Sequence, residues 1–316
     1  MKDKTLSYSS YASIALPLGL ECAMKGHVFC LMPLPLQEES MTGFPVHVNG
    51  HFALSQNRRH VKWPTADQTR NKTHRDKSIR WNECLVTEVV PEVYIHILQE
   101  LMNMCKRQSN PDIMVAAIYN SIPDNRRVTN HWDGIIIPFF ERLWQSQFLF
   151  TANGGGKWIT VNEAVFNIFE NEVSQDVVNT VLYLVRLHQL NLVTVPEHVS
   201  TNLHARFKRI QTLTREYVAK LMRSHSHYKT LPTNDKLNLL QFLMEGDNHL
   251  LEGLELLPLN NNTFTVFSNS PDDCKIFICT DEKELFPGLE DVFIRDHLRL
   301  DTYGSLQRMV ARGKSP

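Results

Sequence analysis

The stretch at residues 26–63, GHVFCLMPLPLQEESMTGFPVHVNGHFALSQNRRHVKW, constrains the fold more than any other part of this 316-residue chain. It holds two strand-like runs, a turn and a basic tail. Val28, Cys30 and Met32 alternate with Phe29, Leu31 and Pro33, and both sets are apolar. That pattern suits a strand buried on both faces and stopped by Pro33 and Pro35. Ser40, Met41, Thr42 and Gly43 supply turn chemistry, since glycine takes a positive φ at no steric cost. Val46, Val48, Gly50 and Phe52 then read as a second strand. Residues 8–18 alternate enough to add another, and the three together predict an antiparallel sheet.

From Arg80 the period becomes helical. Trp81, Cys84 or Leu85, Val89, Val93, Ile97, Leu101 and Cys105 recur every three or four residues and predict one buried stripe. Pro91 lies inside it, so the helix either kinks there or restarts with Pro91 in its first turn. Ser109, Asn110 and Pro111 end it. Residues 64–78 are almost wholly polar and read as a mobile loop. Residues 113–119 predict a short helix, and Asp133 is placed to cap another whose stripe is Ile136, Phe139, Phe140, Leu143 and Trp144. A hairpin is expected where Phe148, Leu149, Phe150 and Thr151 meet Lys157, Trp158, Ile159 and Thr160 across a glycine run.

Further helical stripes are Val177, Val178, Val181, Leu182, Val185 and His188, then Leu213, Tyr217, Val218, Leu221 and Met222, then Leu237, Leu240, Leu243 and Met244. The last starts at Thr233, Asn234 and Asp235 and stops at Gly246. Residues 196–209 fit no single pattern. Residues 254–257, 263–267 and 275–279 read as strands, with Asn260, Asn261 and Asn262 as a turn. The fold class is α+β: an antiparallel sheet followed by long helices, then a helical and strand-rich second half. The expected division is a sheet-plus-helix domain at 1–150, the second half at 151–300, and a tail at 301–316 without sustained pattern.

Apolar content of 42% and charged content of 21% are those of a soluble globular protein. A net charge of −1 gives no overall field for nucleic acid or membrane. Charge is uneven locally, however: residues 58–80 carry eight Lys or Arg against two Asp, and residues 245–291 carry eleven acidic residues against two Lys. The plain reading is two solvated surfaces. The basic stretch has only Trp63 and Trp81 at its ends for base stacking, which argues against nucleic acid. Six Cys in a chain this long are not a disulfide framework and fit a reduced, cytoplasmic protein. No apolar run reaches membrane-spanning length, and Pro17 and Gly19 interrupt the one run resembling a signal sequence.

Most chemical motifs fail on spacing. Gly154, Gly155, Gly156 and Lys157 lack the Ser or Thr and the helix that a phosphate loop needs. His47, His51 and His60, the His225-x-His227 pair, Cys22 with His27 and Cys30, and Cys274 with Cys279 match no established metal-ligand spacing. No Gly-x-Ser-x-Gly elbow marks a hydrolase. No metal or resident cofactor is expected.

One resemblance remains. Phe29-Cys30 ahead of Pro33-Leu34-Pro35-Leu36, then Gly43-Phe44-Pro45-Val46-His47-Val48-Asn49-Gly50-His51-Phe52-Ala53-Leu54 and Ser55-Gln56-Asn57-Arg58-Arg59, resemble the repeat region of the sacsin family. So do Gly155-Gly156-Lys157-Trp158-Ile159, Leu251-Glu252-Gly253-Leu254-Glu255-Leu256-Leu257-Pro258-Leu259, Thr263-Phe264, Lys275-Ile276-Phe277-Ile278-Cys279 and Leu285-Phe286-Pro287-Gly288-Leu289-Glu290. The resemblance covers most of residues 8–295. It implies the segment that follows an ATPase lobe of the ninety-kilodalton heat-shock chaperone class, and a chaperone or co-chaperone role with client proteins or chaperone machinery as partners.

The nucleotide pocket of such a lobe has no counterpart here, since Asp133-Gly134 is followed by three isoleucines. The chain alone is therefore expected neither to bind nor to hydrolyse ATP, and to meet nucleotide only through a neighbouring lobe. By the same resemblance, Arg58 and Arg59 are candidates to reach its terminal phosphate, with Asn57 and Asn49 orienting them. The plainer expectation is that these arginines end a strand and pair with acidic neighbours. A purely structural protein-interaction module without nucleotide dependence is the alternative.

Overall fold

The computed structural model describes residues 9–16, 25–35, 37–70, 76–108, 110–153, 155–167, 173–246, 248–268, 287–288 and 292–295. The strand expected at 275–279, the tail from 301 and the thiols of Cys22, Cys274 and Cys279 lie outside them. The architecture is mixed α+β, built on small open sheets. Two compact units are present, one formed by Met1–Ala164 with Val193–Gln211, the other by Val165–Leu192 with Thr212–Pro316.

The first unit opens with β1 (Ala12–Ala15), β2 (Val28–Cys30), β3 (Met32–Pro33) and β4 (His47–Gly50), ordered β1-β4-β2-β3. β1 pairs antiparallel with β4, Ile14 facing Val48, but β2 runs parallel to β4, Val28 beside Val48. The expected all-antiparallel sheet is therefore a mixed one. Its cause is the connection between β3 and β4, which runs back past the start of β2 before β4 begins. Along that return, Gly26 N donates to Phe44 O at 2.8 Å and Thr42 N donates to Gly26 O at 3.0 Å. A Cβ on Gly26 would stand 2.1 Å from the Val46 carbonyl, so only glycine admits this approach. Gly43 does take the left-handed conformation, φ 77°.

Nor is the first strand buried on both faces. Leu31 adopts φ 64° and turns the chain back after Cys30, which leaves Leu31 68% and Met32 72% exposed at a hairpin tip.

The segment expected to be a mobile loop holds α1 (Ala66–Arg70), begun by a Thr65–Gln68 exchange in which Thr65 N donates to Gln68 Oε1 at 3.1 Å and Gln68 N to Thr65 Oγ1 at 3.5 Å. Asp76 then caps α2 (Lys77–Cys84) by accepting from Ile79 N at 2.9 Å, and Lys62 donates to the same carboxylate.

A wide π turn, Leu85–Val89, leads directly into α3 (Val90–Cys105), with Pro91 in its first turn. The wide turn inserts a residue, so the buried stripe moves from Trp81 and Leu85 to Val90, Tyr94, Leu98, Leu101 and Cys105. Val89, Val93 and Ile97, which a uniform period would bury, are only half-buried.

α4 (Asp112–Asn120) and α5 (Ile136–Trp144) complete the helical layer. Asp133 does not cap α5. It opens a 3₁₀ turn, Asp133–Ile135, and the residue before α5 is Ile135, which offers no capping side chain. That turn seats Trp132, 1% exposed, in edge-to-face contact with Phe44, Phe52 and Trp63 at ring distances of 5.8, 5.6 and 5.5 Å. β5 (Leu149–Thr151) and β6 (Lys157–Ile159) form the expected hairpin, Phe150 opposite Trp158, with Gly155 and Gly156 at positive φ.

β7 (Ala164–Phe166), α6 (Gln175–Leu187) and β8 (Asn191–Val193) follow. The stretch that fitted no pattern is helical: α7 (Glu197–Arg206) buries Val199 and Leu203 together with Asn202, a polar residue that obscures the stripe. β9 (Gln211–Thr212) joins β7 and β8 in a sheet ordered β8-β7-β9. In the second unit, α6, α8 (Arg215–Ser224) and α9 (Thr233–Met244) bury Val181, Leu184, Val218, Leu239 and Leu243 around one core. The antiparallel pair β10 (Glu255–Pro258) and β11 (Phe264–Val266) closes it. Arg215 ties α8 to the end of α9 through Glu245 at 2.7 Å and Phe242 O at 2.9 Å.

Hydrogen bonding from Lys62, with the Ile79 and Ser78 backbone amides, holds the Asp76 carboxyl below its ordinary range against a smaller opposing effect of burial. Asp76→Ala should cost about 1 kcal/mol, the usual worth of an N-cap. Because the folded-state value is depressed, this contribution is present above the unfolded value near 4 and vanishes as pH falls through the folded one. Chemical denaturation at pH 7 and at pH 2.5 checks both statements: the gap between wild type and variant should close in acid.

Candidate functional site

Arg58 and Arg59 occupy the tip of a narrow loop between two arms that pair antiparallel at Leu54 and Val61. Val61 is wholly buried and fixes one arm to the core. Between the arms Ser55 N donates to His60 O at 2.9 Å, and Lys62 N donates to Ala53 O at 2.9 Å. At the tip Arg58 N donates to Ser55 O at 2.8 Å, while Asn57 Oδ1 accepts from Arg59 N at 3.1 Å and from Ser55 Oγ at 2.6 Å. Asn57 therefore spends its carbonyl on shaping the turn. The turn places Arg58 at φ 57°, a conformation that costs an L-residue about 1 kcal/mol.

The base of the loop is fixed by a side chain that no spacing argument singled out. Asn82 on α2 is fully buried and makes three hydrogen bonds. Its Nδ2 donates to Ala53 O at 2.8 Å and to Lys62 O at 2.9 Å, and its Oδ1 accepts from Ala53 N at 2.8 Å. One amide thus grips both arms. Its neighbour Trp81 donates Nε1–H to His51 O at 2.8 Å, extending the grip one step earlier along the chain. A buried asparagine inside an apolar stripe was the available signal.

Asn57, Arg58 and Arg59 share one loop; Asn49 does not join them. It stands on β4, where Oδ1 accepts from Leu31 N at 3.0 Å and Nδ2 donates to Ser13 Oγ at 3.4 Å. These bonds brace the left-handed turn at Leu31. Both arginines are exposed, and among the described residues no ion pair engages either.

Two exposed guanidiniums on adjacent residues, without an ion pair among the described residues, can each take a phosphate or carboxylate bidentately. In water such contacts are worth little, and they strengthen when a partner surface excludes solvent. The loop is thus equipped to bind an anion.

His47 and His51 go to different neighbours. His47 stacks on His27 at 5.7 Å and accepts from His27 N at 3.1 Å, whereas His51 lies 5.0 Å from the Tyr11 ring. Burial first, and His27 second, press the His47 pKa below its usual value. Among the described residues no group of three or more His, Cys, Asp or Glu is arranged to hold a metal ion. Among the described residues, Cys30 and Cys105 are free thiols.

Fold and site together define a mixed α+β module that presents an exposed arginine loop on a clamped base. No protein-family model and no solved structure matches the chain. Human sacsin does: it is 30% identical over 328 aligned positions, which take in 98% of this chain and 7% of sacsin's length. The chain is a sacsin-related region.

Asn82→Asp isolates the clamp. An ionised carboxylate only accepts hydrogen bonds, so the Ala53 and Lys62 carbonyls would each face an oxygen in place of N–H. The Ala53 carbonyl keeps the Lys62 N–H at 2.9 Å, so the Lys62 carbonyl is the one left without a donor; an unsatisfied buried group costs about 1–3 kcal/mol, and a loss of about 2 kcal/mol is expected at pH 7. Denaturant unfolding measures it, and the loss should shrink at pH 4, where the protonated acid regains one donor.

Proposed function

We propose that this chain works as a sacsin-like chaperone or co-chaperone module, assisting or scaffolding protein folding in the cytoplasm, with Arg58 and Arg59 directed at nucleotide phosphate held by a neighbouring ATPase lobe. The observation that carries this reading is the exposed arginine pair, unpaired among the described residues and set on a base that Asn82 holds rigid. A loop of that construction suits a contact completed by another surface. Guanidinium charge brought to a terminal phosphate in a closed, dry interface stabilises negative charge that develops on transfer. The likeness to sacsin supports the chaperone setting.

In this reading the chain is not itself an enzyme. ATP matters to it only through the adjoining lobe.

A purely structural interaction module has its own supporting observation. The hairpin tip at Leu31 and Met32 exposes two large apolar side chains on a turn that Asn49 braces, and this favours protein contact without nucleotide.

Replacing both arginines with lysine, in a protein that carries the ATPase lobe, separates the two. Lysine keeps the charge and loses the planar fork. ATP turnover should fall by about tenfold or more, less than the roughly 10²–10³ that removing a whole transition-state donor costs because lysine keeps the charge, while stability stays within about 0.5 kcal/mol, as for a surface change. Unchanged turnover removes the phosphate role and leaves the structural module.

A further inference from the structure

Three histidines of the second unit meet outside the loop just described. His188 ends α6, and His225 and His227 flank the start of the 3₁₀ turn Ser226–Thr230. Their ring centroids are 4.5 Å apart for His188 and His225, 5.1 Å for His188 and His227, and 6.2 Å for His225 and His227. The outer two rings lie nearly parallel, 13° apart, with the His188 ring tilted to both. His188 Nε2 is buried and has no hydrogen-bond partner among the described residues, whereas His225 and His227 are exposed. As arranged they form no metal-holding group, so the chemistry open to the cluster is gain and loss of protons.

We propose that His188, His225 and His227 form an acid-sensitive latch, which holds the Ser226–Thr230 turn against the C-terminal end of α6 while the rings are neutral and releases it on protonation. At 4.5–6.2 Å, imidazoles pack as apolar rings, but imidazolium ions repel one another. The turn is worth releasing because it carries Tyr228, 3% exposed, whose hydroxyl accepts from Glu255 N at 3.1 Å at the start of β10. Protonation would therefore loosen the junction between the turn and the β10–β11 pair.

The charges bearing on His188 are those of His225 and His227. Lys229, on the same turn, is engaged by Glu255 at 2.8 Å, and Arg186 in the last turn of α6 is a further cation. Ser224 Oγ lies 3.0 Å from His225 Nδ1 and carries no charge. A helix C-terminus favours a cation by about 0.3–1 kcal/mol, which would help His188 take a proton. Burial opposes this more strongly, and the two neighbouring rings add to burial, so the His188 pKa is lowered from its ordinary value.

The sign follows. Above the unfolded value near 6.5 His188 is neutral in both states and the latch costs nothing. As pH falls through that value the unfolded or released state takes up the proton first, and the docked state loses stability until pH passes the folded value.

The test is an NMR titration of the histidine ring protons in the full chain, with amide exchange at Leu231, whose N–H closes the turn onto Tyr228 O at 3.2 Å. His188 should titrate below its ordinary value, and in the double variant His225→Gln, His227→Gln its midpoint should move up toward that value. Leu231 protection, corrected for intrinsic rates, should fall from pH 7.5 to pH 5.5 in wild type and not in His188→Gln. A His188 midpoint at or above the ordinary value, or one unmoved in the double variant, overturns the latch. So does an equal loss of Leu231 protection in His188→Gln.

Discussion

The first unit depends on a single amide. Asn82 satisfies an N–H and a C=O of Ala53 together with the Lys62 carbonyl, from a position with no exposure to solvent. A buried side-chain amide with three well-formed hydrogen bonds tolerates little displacement, because losing the bond to the Ala53 N–H or to the Lys62 carbonyl leaves an unsatisfied polar group in the interior. Both arms of the arginine loop are therefore fixed to α2, and α2 is continuous through the Leu85–Val89 turn with α3. Around this clamp the aromatic contacts of Trp132 with Phe44, Phe52 and Trp63 tie the return from β3 and the loop's base into one core.

Rigidity at the base and exposure at the tip are complementary. Arg58 pays for its left-handed backbone through the turn that Ser55 and Asn57 build, and the guanidiniums are left uncommitted among the described residues. A loop meant only to end a strand would need neither feature. The same economy appears at the other hairpin tip, where Asn49 braces the left-handed Leu31 and Met32 stands exposed. Two strained turns, each held by an asparagine, thus present chemically different tips: one cationic, one apolar.

Much of the fold was legible because helices with a clear apolar period declare themselves. α3, α5, α6, α8 and α9 lie where repeated valines, leucines and aromatics at three- and four-residue spacing put them. The failures have physical causes. The π turn shifted the register of one stripe by a residue, exchanging Val93 for Tyr94 and Ile97 for Leu98. A buried asparagine within each apolar face, Asn82 in α2 and Asn202 in α7, looks like an interruption in a one-dimensional pattern and is a bonding centre in space. α1 was hidden by its polarity, although the Thr65 and Gln68 pair that starts it was there to be read. Parallel pairing of β2 with β4 depends on the path of the chain between them, which no local pattern encodes. Of the candidate site, the arginines and Asn57 were visible as residues, but the device that aims them was not.

Amide hydrogen exchange at Ala53, whose N–H is donated to Asn82, tests the central claim most directly. If the clamp organises the unit, this amide should exchange as slowly as those of the α3 core, while the amides of Arg58 and Arg59 at the tip exchange much faster. Exchange at Ala53 as fast as at the tip would show that the loop is not held from its base and would contradict the account.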